Sequence, residues 1–272
     1  MRLNGRGMLV NVQGHRVQYD LLGAVDAPVV LFTHSLASDG GMWAEQVPAV
    51  LEAGFRALRV DMRGHGGSEA TEPPYTMDEL ADDVNGVLEA LKIERVHLVG
   101  LSVGSMIGQS LAIRYGAKLA SALFADSQPS APPTARGAWS APLAMVKQSG
   151  SLTPVRTGLL RAWLSDAFKA ANPARWEQIQ STIVATPPLG FEGCVAAMSQ
   201  FDYTAQLPSV RVPALVVVGA GDPMTPPAEN KRLAEAIPGA RYEEIPDAKH
   251  LVNVEQPDAF NRILIDWLAA HR

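Results

Sequence analysis

The segment that most constrains the fold of this chain is Gly-Leu-Ser-Val-Gly at residues 100–104. It follows a short apolar run at residues 96–99 and precedes a helix-like run at residues 105–112. A serine between two glycines, at a sharp turn from a strand into a helix, is typical of a nucleophile elbow. The glycines let the two elements pack closely, and the strained turn exposes the hydroxyl. We therefore predict that Ser102 is a catalytic nucleophile rather than part of an ordinary glycine-rich turn.

A serine nucleophile needs a base and an acid, and the chain has candidates for both downstream. The β-branched run at residues 212–219 predicts a buried strand, and Asp222 follows it directly. A second strand-like run at residues 240–245 leads into a loop that contains His250. Imidazole titrates near neutral pH, so it can accept the serine proton, and a carboxylate can orient it. We predict that His250 is the base and that Asp222 orients it.

Other residues compete for these roles. Asp126 follows the apolar run at residues 122–125 and is the rival acid, since it also stands at the end of a predicted strand. His97 lies inside a predicted strand, which favours a buried structural role. His271 lies beside the C-terminus, where chains fray.

An oxyanion hole is also expected, because the tetrahedral intermediate needs hydrogen-bond donors where negative charge develops. The backbone N–H of Val103, directly after the nucleophile, is one predicted donor. The other is the N–H of Leu36, in the loop after the strand-like run at residues 28–33. His34 is interpreted as a brace for that loop rather than as a base.

These motifs resemble the α/β-hydrolase superfamily over essentially the full length of the chain. The order serine, aspartate, histidine and the turn Asp-Met-Arg-Gly-His-Gly-Gly-Ser at residues 61–68 carry the resemblance. It implies an α/β fold with a mostly parallel eight-stranded sheet, flanking helices and a helical cap. The alternation of strands and helices stops near residue 127 and restarts near residue 212, so residues 1–126 and 208–272 are the predicted core and residues 127–207 the predicted cap.

A closer resemblance is to 3-oxoadipate enol-lactonases. It rests on Ser35-Leu36-Ala37-Ser38, Pro74-Tyr75-Thr76-Met77, the elbow, Thr225-Pro226-Pro227-Ala228 and His250-Leu251-Val252-Asn253-Val254-Glu255. The resemblance implies a cofactor-free hydrolase that opens a small, carboxylate-bearing lactone with water. A general carboxylesterase is the alternative. Perhydrolases and carbon–carbon bond hydrolases use the same side chains, and a binding protein that has lost turnover is a further possibility.

The sequence gives weaker grounds for assigning pocket residues than for assigning the catalytic residues. Trp163 lies in a segment that resembles the tryptophan-containing cap helix of enol-lactonases. The other pocket candidates are Ser35, Trp139, Met198 and Phe201. Apolar residues at helical spacing usually pack in a core, so packing within the cap is the alternative for them. The candidate partners for a substrate carboxylate are Arg136, Arg156 and Arg161.

Composition excludes several other classes of function. The formal net charge of −5 and the absence of a basic stripe argue against nucleic-acid binding. No apolar run reaches the ~18 residues that a membrane-spanning helix needs, and the first seven residues lack the apolar region of a secretory signal. Cys194 is the sole cysteine, which precludes an intramolecular disulfide and is typical of a cytoplasmic protein. No cluster has metal-ligand spacing, so no metal is expected.

Overall fold

The sheet has eight strands and confirms the predicted fold class. The computed structural model describes residues 7–272. The strands are β1 (Met8–Val12), β2 (His15–Leu22), β3 (Val29–Thr33), β4 (Arg56–Val60), β5 (Val96–Leu101), β6 (Leu119–Ala125), β7 (Ala214–Gly219) and β8 (Arg241–Ile245). Their order across the sheet is β1-β2-β4-β3-β5-β6-β7-β8. Only β2 breaks the parallel arrangement, because it pairs antiparallel with both β1 and β4.

Helices cover both faces and the carboxyl edge of this sheet. They are α1 (Gln46–Glu52), α2 (Met77–Ala90), α3 (Val103–Arg114), α4 (Ala135–Ser149), α5 (Arg156–Trp163), α6 (Asp166–Ala171), α7 (Pro173–Ala185), α8 (Pro188–Met198), α9 (Pro227–Ala236), α10 (Val252–Glu255) and α11 (Pro257–Ala270). Strands β3, β5 and β7 are buried along their whole length, as expected for parallel strands with both faces covered. Helices α4 to α8 all lie between β6 and β7 in sequence.

The strand register brings distant parts of the sequence to one edge. Leu101 at the end of β5 pairs with Ala125 of β6, and Ala125 pairs with Val217 of β7. The carboxyl ends of parallel strands share an edge, and ligands of open α/β sheets bind there. Ser102, Asp126 and the loop that contains Asp222 therefore emerge side by side.

Local sequence signals account for the helix that packs beside the elbow. Helix α2 begins with a capping box, in which the Thr76 side chain accepts a hydrogen bond from the Glu79 N–H and the Glu79 carboxylate accepts one from the Thr76 N–H. Helix α2 contacts both α3 and β1. Within residues 7–272, no helix is long and apolar enough to cross a bilayer.

His97 is a buried histidine that makes stability depend on pH. It lies in β5 with 4% of its surface exposed, and its Nδ1 is 2.9 Å from the Ser121 hydroxyl. Burial, together with the smaller effects of the charges of His271 and Arg95, lowers the pKa of His97 to about 4. An unfolded histidine has a pKa near 6.5, so the unfolded chain takes up a proton first as the pH falls. His97 therefore makes the free energy of unfolding decrease as the pH falls from about 6.5 towards 4.

We expect His97→Gln to flatten this dependence. Between pH 6.5 and 4.5 the variant should lose roughly 2 kcal/mol less of its unfolding free energy than the wild type, because it has no proton to take up at this position. Urea unfolding at half-unit pH steps measures the effect. The difference between the two proteins should stay constant from pH 7.5 to 8.5, where neither state protonates this residue. Parallel curves below pH 6.5 would contradict the account.

Candidate active site

Ser102 lies on a strained turn between β5 and α3. Its backbone has φ 56° and ψ −119°, a conformation that side chains rarely adopt, and its N–H donates to the Ala125 carbonyl oxygen at 2.9 Å. A Cβ on Gly104 would meet the carbonyl oxygen of Thr33, and a Cβ on Gly100 would meet the backbone of Gly104. The two glycines thus permit the close approach of strand, loop and helix that holds the serine in place.

A continuous chain of hydrogen bonds joins Ser102, His250 and Asp222. The Ser102 Oγ is 2.9 Å from the His250 Nε2, and the His250 Nδ1 is 2.8 Å from the Asp222 Oδ2. An ionised carboxylate only accepts, so Nδ1 carries the proton and Nε2 accepts from the serine hydroxyl. All three side chains are buried. This arrangement can remove the serine proton as the oxygen attacks.

Asp222 is held in its ionised form by its surroundings. Burial alone would raise the pKa of the Asp222 carboxyl, but the charge of His250 and the hydrogen bonds from His250, Thr225 and the Met224 N–H lower it below its usual value. The Thr225 hydroxyl donates to Oδ2 at 2.7 Å, and the Met224 N–H donates to Oδ1 at 2.8 Å. Asp222 is therefore a charged acceptor for the His250 Nδ1 proton.

Sequence reasoning did not assign Thr225 a role in this network. The spacing of Asp222 and Thr225 was the available signal, because an aspartate often accepts from backbone and side-chain donors two or three residues further on. Thr225 is in turn fixed by Asn230, whose side-chain amide donates to the Thr225 carbonyl oxygen at 2.7 Å. The Asn230 side-chain oxygen also accepts from the Ser127 N–H, which ties α9 to the loop after β6.

Asp126, the rival acid, contacts backbone rather than the histidine. Its carboxyl oxygens accept from the N–H of Gly219 at 2.8 Å and of Val252 at 3.3 Å. Burial raises the pKa of Asp126 well above its usual value, and the nearby charge of Asp222 raises it further against the effect of the two backbone donors. Asp126 thus bridges the end of β7 and the segment after His250, and it supports both loops without touching the ring.

The loop that contains His250 is anchored against the helices that follow β6. The Leu251 N–H donates to the Trp163 carbonyl oxygen at 3.1 Å. The Glu255 carboxylate accepts from the N–H of Lys249 at 2.8 Å and from the N–H of Ser165 at 2.9 Å. These contacts fix the position of the imidazole between Asp222 and Ser102.

The two predicted oxyanion donors have no acceptor within the described part of the chain. The N–H of Val103 stands at the first position of α3, where no intrahelical acceptor exists, and the N–H of Leu36 is unpaired in the loop after β3. His34 braces that loop: its Nε2 accepts from the Met62 N–H at 3.0 Å, so its Nδ1 donates to the Ser35 carbonyl oxygen at 2.8 Å. A helix N-terminus also favours negative charge beside Val103.

A cavity of about 470 Å³ opens from Ser102 and His250. Its lining residues are Ser102, Met106, Gln128, Pro132, Thr134, Ala135, Ala138, Trp139, Pro142, Met145, Pro154, Val155, Gly158, Leu159, Ala162, Met198, Met224, Thr225 and His250. Most of the wall therefore comes from α4, α5 and the segment between them.

The structure separates the predicted pocket residues into two groups. Trp139 and Met198 line the cavity. Ser35, Trp163 and Phe201 are not among the described residues that line it. Trp163 and Phe201 belong to the hydrophobic core, and Trp163 has only 2% of its surface exposed. Ser35 is a buried residue of the loop after β3, and its carbonyl oxygen accepts from His34.

The predicted arginines also lie off the cavity wall. Arg136 and Arg161 are exposed on α4 and α5, and Arg156 is half-buried at the start of α5. None of the three is among the lining residues that the structure describes. Likewise, no group of three or more His, Cys, Asp or Glu side chains in residues 7–272 is placed to hold a metal ion.

Comparison with known proteins places the chain in a family. A family model described as alpha/beta hydrolase fold matches residues 28–257. The chain belongs to this family. The hydrolase is 32% identical over 256 residues to 3-oxoadipate enol-lactonase 1 of Acinetobacter baylyi, covering 94% of this chain and 94% of that protein.

Two further similarities bear on the activity of this hydrolase. It is 29% identical over 269 residues to a putative carbamate hydrolase RutD of Variovorax paradoxus, covering 93% of this chain and 96% of that protein. The crystal structure of the enol-lactonase from Burkholderia xenovorans LB400 superposes with a TM-score of 0.92 at 32% identity, covering 96% of this chain and 100% of that one. The chain is therefore similar to hydrolases of more than one substrate.

Proposed function

We propose that this protein is a serine hydrolase of carboxylic esters or lactones that works through an acyl-enzyme. The observation that carries the proposal is the chain of hydrogen bonds from Ser102 through His250 to Asp222, with distances of 2.9 Å and 2.8 Å. The order of the three side chains is the one that nucleophilic attack requires, and Ser102 and His250 line a cavity large enough for a small organic substrate.

The first half of the reaction forms the acyl-enzyme. The Ser102 Oγ attacks the carbonyl carbon of the substrate as its proton passes to the His250 Nε2. The resulting imidazolium is stabilised by the ionised Asp222. Collapse of the tetrahedral intermediate breaks the bond to the leaving oxygen, which takes the proton from Nε2. With a lactone, the released alcohol stays attached to the acyl group.

The second half releases the acid. His250 removes a proton from water, the hydroxide attacks the acyl carbon, and the Ser102 oxygen leaves with the proton that Nε2 held. General base catalysis of this kind contributes about 10²–10⁴-fold to the rate. The proposed oxyanion donors in both halves are the N–H groups of Leu36 and Val103, whose unpaired state supports this role.

The comparisons support two kinds of substrate. Similarity to 3-oxoadipate enol-lactonases over nearly the whole chain favours a lactone, with 3-oxoadipate enol-lactone as the first to test. Similarity to a putative carbamate hydrolase favours acyclic acyl substrates. A lactone and an acyclic ester would each acylate Ser102 with their own acyl group, so one catalytic mechanism serves either.

An acyl-acceptor partition experiment tests the proposal. Phenyl butyrate and p-nitrophenyl butyrate share an acyl group but differ in leaving group. If both form the same butyryl-Ser102, hydroxylamine and water compete for one intermediate, and the ratio of butyrohydroxamate to butyrate is identical for the two esters. A ratio that changes with the leaving group would mean that water attacks the ester directly, without an acyl-enzyme.

A further inference from the structure

The cavity beside Ser102 has no charged side chain of the Asp, Glu, Lys or Arg type among its described lining residues. Five of the lining side chains are polar: Ser102, Gln128, Thr134, Thr225 and His250. Ser102 and His250 are committed to the reaction, and the Thr225 hydroxyl donates to Asp222. The groups left to face a substrate are therefore the neutral Gln128 and Thr134 and an apolar wall.

Charged residues on the wall helices do not reach into this cavity. Lys147 on α4 is occupied by the Glu192 carboxylate at 2.6 Å. Arg136 and Arg161 are exposed to solvent. Arg156 is half-buried next to the lining residue Val155, but it is not itself part of the wall. A carboxylate that packs against this wall inside the cavity would thus lose its hydration without gaining a cationic partner among the described lining residues.

The apolar surface continues from the serine to the mouth of the cavity. Four methionines contribute to it: Met106, Met145, Met198 and Met224. Met145 and Met224 are 50% and 36% exposed, and they are two of the few large apolar side chains that the described chain leaves in water. Methionine side chains are flexible and adapt to apolar groups of different shape. Such a wall suits an alkyl chain that packs against it within the cavity.

We infer that the substrates of this site carry an uncharged, apolar acyl chain, and that the site selects against a carboxylate on that chain. The inference rests on the proposed function, since it assigns the cavity to the acyl part of the substrate. It makes 3-oxoadipate enol-lactone, which retains a free carboxylate, a poor substrate in spite of the similarity to enol-lactonases. Uncharged alkyl esters and alkyl-substituted lactones are the substrates that fit.

A matched pair of esters tests this inference. Mono-p-nitrophenyl adipate and p-nitrophenyl 6-methylheptanoate have acyl chains of the same shape, but the first ends in a carboxylate and the second in an isopropyl group. The wild type should prefer the uncharged ester by on the order of 100-fold or more in kcat/KM, because the carboxylate is desolvated without a partner. From acetate to hexanoate, kcat/KM should rise by up to about fourfold per added methylene.

Three variants sharpen the comparison. Met198→Arg places a cation on the wall and should raise the ratio of charged to uncharged ester turnover by about tenfold or more. Met198→Gln, a neutral polar replacement at the same position, should slow both esters without changing their ratio. Arg156→Gln should leave the ratio unchanged, since Arg156 does not line the cavity.

Binding to the Ser102→Ala protein separates this inference from the proposed function. Calorimetric titration of that protein with each intact ester should detect tighter binding of the uncharged one. If that preference holds while the wild type cleaves neither ester, the proposed function fails, and only the preference of the cavity for an uncharged chain stands. Equal or tighter binding of the adipate ester, or a loss of its turnover in Arg156→Gln, would overturn the inference and identify a carboxylate-binding site.

Discussion

Ser102→Ala is expected to lower kcat for p-nitrophenyl butyrate by on the order of 10⁴-fold or more, with no loss of folded structure. Among the described residues, the serine oxygen is the hydrogen-bond partner of the His250 Nε2, and it stands on the strained turn that aims it into the cavity. Without it no acyl-enzyme forms. Initial rates over a range of ester concentrations measure the loss of kcat, and the thermal midpoint of unfolding shows whether the variant is folded.

Ser105→Ala is the matched control for this substitution. Ser105 is also a buried serine of the elbow region, but its hydroxyl donates to the Gly100 carbonyl oxygen at 3.1 Å and it does not line the cavity. We expect it to keep kcat within about tenfold of the wild type, with a loss of stability of about 1 kcal/mol for the missing hydrogen bond. Activity of Ser102→Ala above a few per cent of the wild type would contradict the role of Ser102.

Asp222→Asn is expected to lower kcat by about 10³–10⁴-fold while leaving KM within a few-fold of its original value. An asparagine amide presents an N–H group where the carboxylate accepted the His250 Nδ1 proton. The imidazole then carries its proton on Nε2, facing Ser102, and cannot act as a base. The amide oxygen can still take the place of Oδ1, which accepts from the backbone N–H groups of Met224 and Thr225. The fold should therefore persist.

The variant Asp126→Asn tests whether Asp126 or Asp222 is the acid that orients His250. Asp126 lies close enough to Asp222 for the two charges to interact, but its oxygens accept only from the backbone N–H groups of Gly219 and Val252. The variant should lose stability and at most about tenfold in kcat, because it loosens loops rather than removing the acceptor of the Nδ1 proton. If Asp126→Asn cost more in kcat than Asp222→Asn, Asp126 would be the acid that orients His250.

The sequence predicts the strand ends and favours Asp222 over Asp126 as the acid, but it does not predict the contacts that distinguish the two carboxylates. The apolar runs before Ser102, Asp126 and Asp222 predict parallel buried strands, and parallel strands deliver all three residues to one edge. Which carboxylate meets the histidine depends on side-chain rotamers and on donors from Gly219, Val252 and Thr225. The contacts of Asp126 with Gly219 and Val252 join residues that are far apart in the chain, and no local pattern encodes them, whereas Thr225 lies only three residues after Asp222.

The cavity wall shows the same limit of sequence reasoning. Trp139 and Trp163 both lie on amphipathic helices of the segment between β6 and β7, so helical periodicity assigns each of these helices a buried face. Periodicity does not say whether that face meets the cavity or the core. Trp139 of α4 lines the cavity, whereas Trp163 at the end of α5 packs in the core and its carbonyl anchors the loop of His250. Tertiary packing of these helices makes the difference.

Covalent labelling with a fluorophosphonate tests the central claim most directly, namely that His250 activates Ser102 as a nucleophile. The reagent phosphonylates an activated serine, and peptide mapping by mass spectrometry locates the adduct. We predict one adduct per chain, on Ser102, with no labelling of Ser102→Ala and labelling of His250→Gln slowed by on the order of 10²-fold or more. An adduct on another residue, or equal labelling of the wild type and Ser102→Ala, would contradict the account.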